Sequence, residues 1–243
     1  MNASYHGDLA LGESNLRSRV DAVQQRIQNA AGRSGRPASA ITLVAVTKKF
    51  SAAIIRDAYS AGLRHFGENY VQEFAGKRPE LSSLDHATFH LIGHLQSNKA
   101  RLATELFQVI ETIDSVKLLE RLETVAAESG APIEALIEVK LSDEASKTGA
   151  HPRDLPGLLA AAAARNRVRV TGLMTIPPWS EDAEQSRPYF RKLAALAREH
   201  GLPQLSMGMS NDFEAAIEEG ATIVRVGTAL FGPRPKPAAA LTA

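Results

Sequence analysis

The chain has 243 residues and carries 28 Lys+Arg against 27 Asp+Glu, a formal net charge of +1 that gives no reason to expect nucleic acid or a membrane surface as partner. It has no cysteine, which excludes disulfides, thiolate chemistry and cysteine-held metal. A hydrophobic content of 44% beside 23% charged residues is enough to fill one α/β barrel or two small domains.

The chain opens on MNASYHGDLALGES, which is polar and lacks an apolar signal core, and no later apolar run approaches the length of a membrane span. The expectation is a cytoplasmic protein whose residues 1–12 form a flexible leader. From Asn15 to about Ala31, the residues Leu16, Val20, Val23 and Ile27 recur at helical spacing, with Ser14 as the expected N-cap and the turn-rich segment 32–37 as the stop. Strands and helices then alternate. ITLVAVT (41–47) has no polar alternation and reads as a strand buried on both faces, followed by a helix over 51–61. Further strands are expected at 64–69, 88–93, 107–113, 133–141, 168–176, 204–208 and 222–231. Helical stretches fall between them, to about residue 75 and then at 98–106, 115–129, 155–164, 184–199 and 211–219. This alternation predicts an α/β fold, a single (β/α)8 TIM barrel over 13–232 with an extra N-terminal helix; a doubly wound sheet is the alternative. The Pro- and Ala-rich end, 233–243, reads as a flexible tail.

In such a barrel the site lies at the carboxyl ends of the strands, and phosphate commonly binds in the loops after strands seven and eight. The first strand ends in Lys48 and Lys49. In a dry pocket a lysine there is held as the neutral amine, which can attack a carbonyl and form a Schiff base; two solvated loop lysines would look the same in sequence. After strand seven stand Ser206, Met207, Gly208, Met209, Ser210, Asn211 and Asp212, and late in the eighth expected strand stand Gly227 and Thr228. Each group has a glycine, which lets backbone N–H groups approach an anion, and a hydroxyl that can donate to it. Helix capping by Ser210 or Asn211, with Gly208 in a turn, would explain the same residues.

Arg225 falls inside strand eight, on the same face as Ile223 and Gly227 and opposite Val224 and Val226. It must meet a carboxylate or a ligand atom, because an unpaired buried cation is costly. Asn69 ends the second strand and can hydrogen-bond a ligand at the mouth. Met174 faces away from Leu173 and Thr175, where it packs either on a ring or in the core. His90 and His94 have a spacing that would suit metal on a helix, but they lie in strand and loop and no HExxH is present, so both read as structural and no metal is expected. Lys147 reads as a solvated lysine at the mouth.

The segments VAVTK (44–48), FGENYVQE (66–73), FHLIGHLQSNK (89–99), SKTG (146–149), GLMTI (172–176), SMGMSND (206–212) and VRVGTALFG (224–232) occur in an order that resembles the YggS/PROSC (PLPBP) family of pyridoxal phosphate homeostasis proteins, whose fold is similar to the barrel domain of alanine racemase. The likeness covers about residues 14–232. It implies pyridoxal 5'-phosphate (PLP) as cofactor, held as a Schiff base on Lys48. It implies that Ser206, Gly227 and Thr228 hold the phosphate, that Arg225 faces the pyridine nitrogen, and that Asn69 lies near the ring with Met174 against its face. Three positions depart from the family pattern: Phe50 where a proline is common, Leu91 where an aromatic or Met is common, and Lys140 where strand five often ends in Asn.

The chemistry then separates carrier from enzyme. An arginine beside the pyridine nitrogen disfavours ring protonation and weakens the ring as an electron sink. Alanine racemase works with that arrangement but adds a second domain and a tyrosine base. This chain ends soon after strand eight, and none of Tyr5, Tyr59, Tyr70 and Tyr189 lies in a strand-end motif. The expectation is a monomeric PLP carrier with no established catalytic residue, which captures and releases the cofactor and passes it to apo PLP-dependent enzymes. A racemase-like PLP enzyme is the alternative, and an aldolase-like barrel without PLP the third reading.

Overall fold

The protein was analysed as a computed structural model, which describes residues 13–144 and 147–233. The leader 1–12, Ser146 of the SKTG segment and all of the tail but Pro233 lie outside the described residues.

The apolar run at 41–47 forms β1 (Thr42–Val46), and seven more strands follow: β2 (His65–Glu68), β3 (Thr88–Leu91), β4 (Val109–Ile113), β5 (Ile133–Glu138), β6 (Val168–Met174), β7 (Gln204–Ser206) and β8 (Ile223–Val226). They close into a barrel in sequence order, every pair parallel. The ring shuts where β1 meets β8, with Thr42 opposite Ile223, Val44 opposite Arg225 and Ala45 opposite Val226. Parallel neighbours need a crossover, and helices supply it: α1 (Glu13–Arg33) precedes the barrel, then come α2 (Ala52–Ser60), α3 (Val71–Lys77), α4 (Ala100–Leu106), α5 (Val116–Ser129), α6 (Leu155–Ala163), α7 (Arg187–Glu199), α8 (Phe213–Glu218) and α9 (Thr228–Phe231).

Strand alternation divides the core in two. Ala45, Phe66, Phe89, Ile110, Ala135, Leu173, Val224 and Val226 face outward and pack under the helices. Val44, Val109, Leu136, Met174 and Ile223 form a separate small cluster in the lumen. The lumen is completed by buried polar groups, among them His90, Glu111, Ser206 and Arg225.

Three expected boundaries are corrected. Ser14 lies inside the first turn of α1 and does not precede it. The segment 211–219 is helical only over Phe213–Glu218, because Asp212 takes the turn before it. The eighth strand stops at Val226, and residues 228–231, expected as its continuation, form α9. The run Thr-Ala-Leu-Phe has strand composition, but the β1 ladder ends at Val226; as a helix it buries Leu230 and Phe231 in the outer core.

α1 seals the barrel seam. Leu16, Val20, Val23, Ile27, Ala30 and Ala31 are buried along its inner face, which packs on α8 and α9. Arg26 pairs with Glu214 at 2.9 Å and lies over the Phe213 ring, while Arg33 pairs with Glu218 at 2.7 Å. Truncating Ile27→Ala leaves a cavity in this seam and should lower stability by about 2–5 kcal/mol in urea unfolding; an unchanged midpoint would mean that α1 is not docked.

Candidate functional site

Lys48 stands two residues beyond β1, half-buried, whereas Lys49 is exposed with a left-handed φ of 65°. The turn around them is fixed from both sides. Thr47 is fully buried and its Oγ1 donates to Glu68 Oε1 at 2.8 Å. Lys77 Nζ reaches the same carboxylate oxygen at 2.9 Å, the Thr47 carbonyl at 3.2 Å and Glu73 at 2.7 Å. The Lys49 amide donates to Glu73 Oε1 at 2.6 Å. Burial pushes the Glu68 carboxyl above its ordinary range, and Lys77 and Thr47 work against that shift. Phe50, one of the departures from the family pattern, is buried against Phe231 with ring centroids 5.4 Å apart. This contact ties the lysine loop to α9.

The opposite side of the mouth is built by the loops after β7 and β8. Gly208 sits at φ 92°, and a Cβ there would come within 2.6 Å of Ala216, so only glycine fits this turn. The turn separates the two serines. Ser210 Oγ accepts the Gly227 and Ala229 amides, each at 3.2 Å, and stands half-buried beside the exposed Thr228. Asn211 Nδ2 donates to the carbonyls of Ser180 and Glu181, which fastens the loop after β6 over the same mouth. Ser206 lies deeper, fully buried in the lumen.

A hydrogen-bonded chain crosses that lumen. Arg225 donates from one terminal nitrogen to Ser206 Oγ at 2.5 Å and from the other to the Thr175 carbonyl at 2.8 Å. Ser206 donates to Glu111 Oε2 at 2.5 Å, and His90 Nδ1 meets Glu111 Oε1 at 2.7 Å. His90 Nε2 lies 3.0 Å from His65 Nδ1, which opens into a cavity of about 410 Å³ at the amino-terminal end of the barrel. Burial alone would raise the Glu111 carboxyl, but the bond and charge of His90, the Arg225 charge and the Ser206 hydroxyl outweigh it and hold Glu111 below the usual carboxylate range. Burial lowers the Arg225 guanidinium from its usual value, while Glu111, Glu138 and Asp212 oppose that. The order of groups excludes a serine nucleophile: a carboxylate, not an imidazole, receives the Ser206 proton, and the hydroxyl is sealed from solvent.

The structure thus brings Lys48, Asn69, Met174, Arg225, Gly227 and Thr228 to the carboxyl half of one barrel. It joins Ser206 to Arg225, and it is Ser210 whose hydroxyl meets the Gly227 amide. Met174 is fully buried in the lumen cluster, opposite Ser206 in the ladder. Asn69 is held by Gly93, whose Cβ would fall 2.3 Å from the Asn69 carbonyl oxygen. Three buried acceptors at the strand ends, Glu68 Oε2, Asn69 Oδ1 and Glu138 Oε2, have no hydrogen-bond partner among the described residues. Lys147 is only part-exposed and donates to the Pro177 carbonyl at 3.4 Å. No group of three His, Cys, Asp or Glu side chains that could hold a metal occurs among the described residues. Sequence reasoning missed Glu111, Glu138 and the Glu68–Lys77 pair. A glutamate at alternating spacing with Val109, inside an otherwise apolar strand, was the available signal for Glu111.

Comparison with known proteins places this architecture. Residues 18–235 match the family model described as alanine racemase, N-terminal domain. The pyridoxal phosphate homeostasis protein of Pseudomonas aeruginosa is 44% identical over 223 residues, which cover 91% of this chain and 96% of that one. The pyridoxal phosphate homeostasis protein of Aquifex aeolicus is 43% identical, covering 90% of this chain and 99% of its own. Among solved structures, PipY of Synechococcus elongatus PCC7942 with PLP bound is 41% identical, with a TM-score of 0.78 over 89% of this chain and 100% of PipY. Alanine racemase from Corynebacterium glutamicum, at 21% identity and a TM-score of 0.63, covers 91% of this chain and 63% of the racemase and shares the fold.

His65 supplies a pH test of the lumen chain. Burial first, and then the neighbouring His90, push its imidazole down to about 4, although Glu111 and Glu134 pull the other way. Between that value and the ordinary value of 6.5, the unfolded chain binds a proton that the folded chain does not, so stability falls as pH drops through this window. His65→Gln should lose less stability than the wild type between about pH 6.5 and 5 in urea unfolding; equal slopes would remove His65 from the acid response.

Proposed function

We infer that this chain, which belongs to the family of pyridoxal phosphate homeostasis proteins, binds PLP at the carboxyl mouth of its barrel and keeps the cofactor in reserve for the cell. One observation carries the reading: a lysine, a buried guanidinium and an anion seat converge on that mouth from strands β1, β7 and β8. The donor set fits each end of PLP. Ser210, Thr228 and the amides beside them suit the phosphate dianion. Arg225 has used two of its N–H groups on Ser206 and Thr175 and has donors left for the pyridine nitrogen. Asn69 offers an acceptor with no protein partner near the ring, and Met174 offers a polarisable face.

When bound, PLP supplies an aldehyde carbon that a primary amine can attack, with loss of one water to give a Schiff base and uptake of one water to reverse it. The protein's residues set where this happens and how firmly the cofactor stays. Thr47, Glu68 and Lys77 hold the strand end so that Lys48 leaves it in one direction. The contact between Phe50 and Phe231 ties the loop that carries Lys48 to α9, beside the anion seat. With PLP bound, Arg225 would donate to the ring nitrogen and disfavour its protonation, which would keep the ring a poor electron sink and suit storage over turnover. In this reading the protein acts as a cytoplasmic monomer, and apo PLP-dependent enzymes receive the cofactor. The exposed large apolar side chains among the described residues, Tyr70, Val116 and Trp179, are scattered over different elements, which supports the monomer. None of the described helices is long and apolar enough to cross a membrane.

Protein purified with PLP should be yellow, and Lys48→Ala should lose the visible band on gel filtration while keeping the wild-type melting curve. A Lys48→Ala protein that retains the same band would contradict the assignment of Lys48.

A further inference from the structure

The lumen chain from His65 to Arg225 is not needed to close the barrel, and an apolar lumen would avoid the cost of burying it. Glu111 and Arg225 lie on β4 and β8, on opposite sides of an eight-stranded ring. Glu111 is fully buried and Arg225 is 3% exposed. Their closest charged atoms are 3.9 Å apart, and the shorter connection runs through the Ser206 hydroxyl. Hydrogen-bond bookkeeping fixes the direction of the links that meet at Glu111. The Glu111 carboxylate only accepts, so Ser206 must donate to it and is left with lone pairs for Arg225. On the other side His90 donates from Nδ1 to Glu111, and its Nε2 meets His65 Nδ1. Both arms of the chain therefore donate toward Glu111.

We propose that Glu111 is a positioning residue for Arg225, acting through Ser206 to keep the guanidinium aimed at the ring nitrogen of the cofactor. This rests on the PLP reading above. Arg225 also senses Glu138 and Asp212 at longer range, but Glu111 is the carboxylate to which its hydrogen-bonded partner donates. Neutral glutamine at position 111 breaks the directionality. Its amide would present N–H groups to Ser206, which already accepts from Arg225, or to His90 Nδ1, which must donate. Either way one donor in a dry lumen loses its acceptor and Arg225 loses its counter-charge.

The test compares wild type, Glu111→Gln, Glu111→Asp, Ser206→Ala and the Glu111→Gln/Ser206→Ala double variant, each loaded with PLP. The readouts are the absorption maximum of the bound cofactor, the pH dependence of that maximum, PLP affinity by equilibrium dialysis and the melting curve without PLP. Glu111→Gln should shift the maximum and its pH profile and weaken affinity about tenfold, the scale of one lost charged hydrogen bond. Glu111→Asp should recover part of the spectrum because it keeps the charge. Ser206→Ala removes no charge and carries the test if Glu111→Gln does not fold; it should give the same spectral shift, and the double variant should add nothing to it. A Glu111→Gln protein that melts earlier but keeps the wild-type spectrum and pH profile overturns the proposal, as do additive effects in the double variant. A wild type that takes up no PLP overturns the PLP reading itself, so the two failures are distinguishable.

Discussion

The pairing of β1 with β8 is the constraint on which the site depends. The chain must close its ring there, with Val44 beside Arg225 and Ala45 beside Val226. That register sets residues from the two ends of the barrel sequence side by side: Lys48 leaves the end of β1 as Gly227 and Thr228 leave the end of β8. Because all eight strands run parallel, Asn69, Met174 and the loop after β7 reach the same end. A slip of one residue in this pairing would turn Arg225 out of the lumen and Val224 into it. The α1 helix over the seam and the Phe50–Phe231 contact across it both oppose such a slip.

Within that frame the lumen is unusually polar near its carboxyl half. A buried guanidinium and a buried carboxylate each lose several kcal/mol of hydration. Here they recover it through bonds of fixed direction, from His90 and Ser206 to Glu111 and from Arg225 to Ser206 and Thr175. The lumen network consequently holds the cation at the mouth rigidly. A cation and an anion seat held in place opposite a primary amine suit the reversible capture of an aldehyde. The Glu68–Lys77 pair plays the corresponding role beneath Lys48, anchoring the backbone from which its side chain projects.

Much of this was legible in the sequence because buried parallel strands leave uninterrupted apolar runs, and the residues just after them are the mouth. Lys48 and Asn69 were read as mouth residues that way, and Arg225 was singled out as a cation inside β8. The end of β8 was misread because Thr-Ala-Leu-Phe suits a strand in composition, while only the missing ladder beyond Val226 shows that it must coil. The two serines after β7 could not be told apart, since the turn at Gly208 that sends Ser206 inward and Ser210 to the mouth is a matter of φ, not of residue type. Glu111 stood out locally only as a charge inside an apolar strand, and its partner Ser206 lies 95 residues away.

The central claim is that the Lys48 amine and the seat formed by Ser210, Gly227 and Thr228 hold one PLP molecule between them. Reduction of the PLP-loaded protein with borohydride, followed by peptide mass spectrometry, tests this directly. The account predicts a single pyridoxyl adduct on the peptide carrying Lys48. An adduct confined to Lys49, Lys140 or Lys147, or none on a loaded protein, would contradict it.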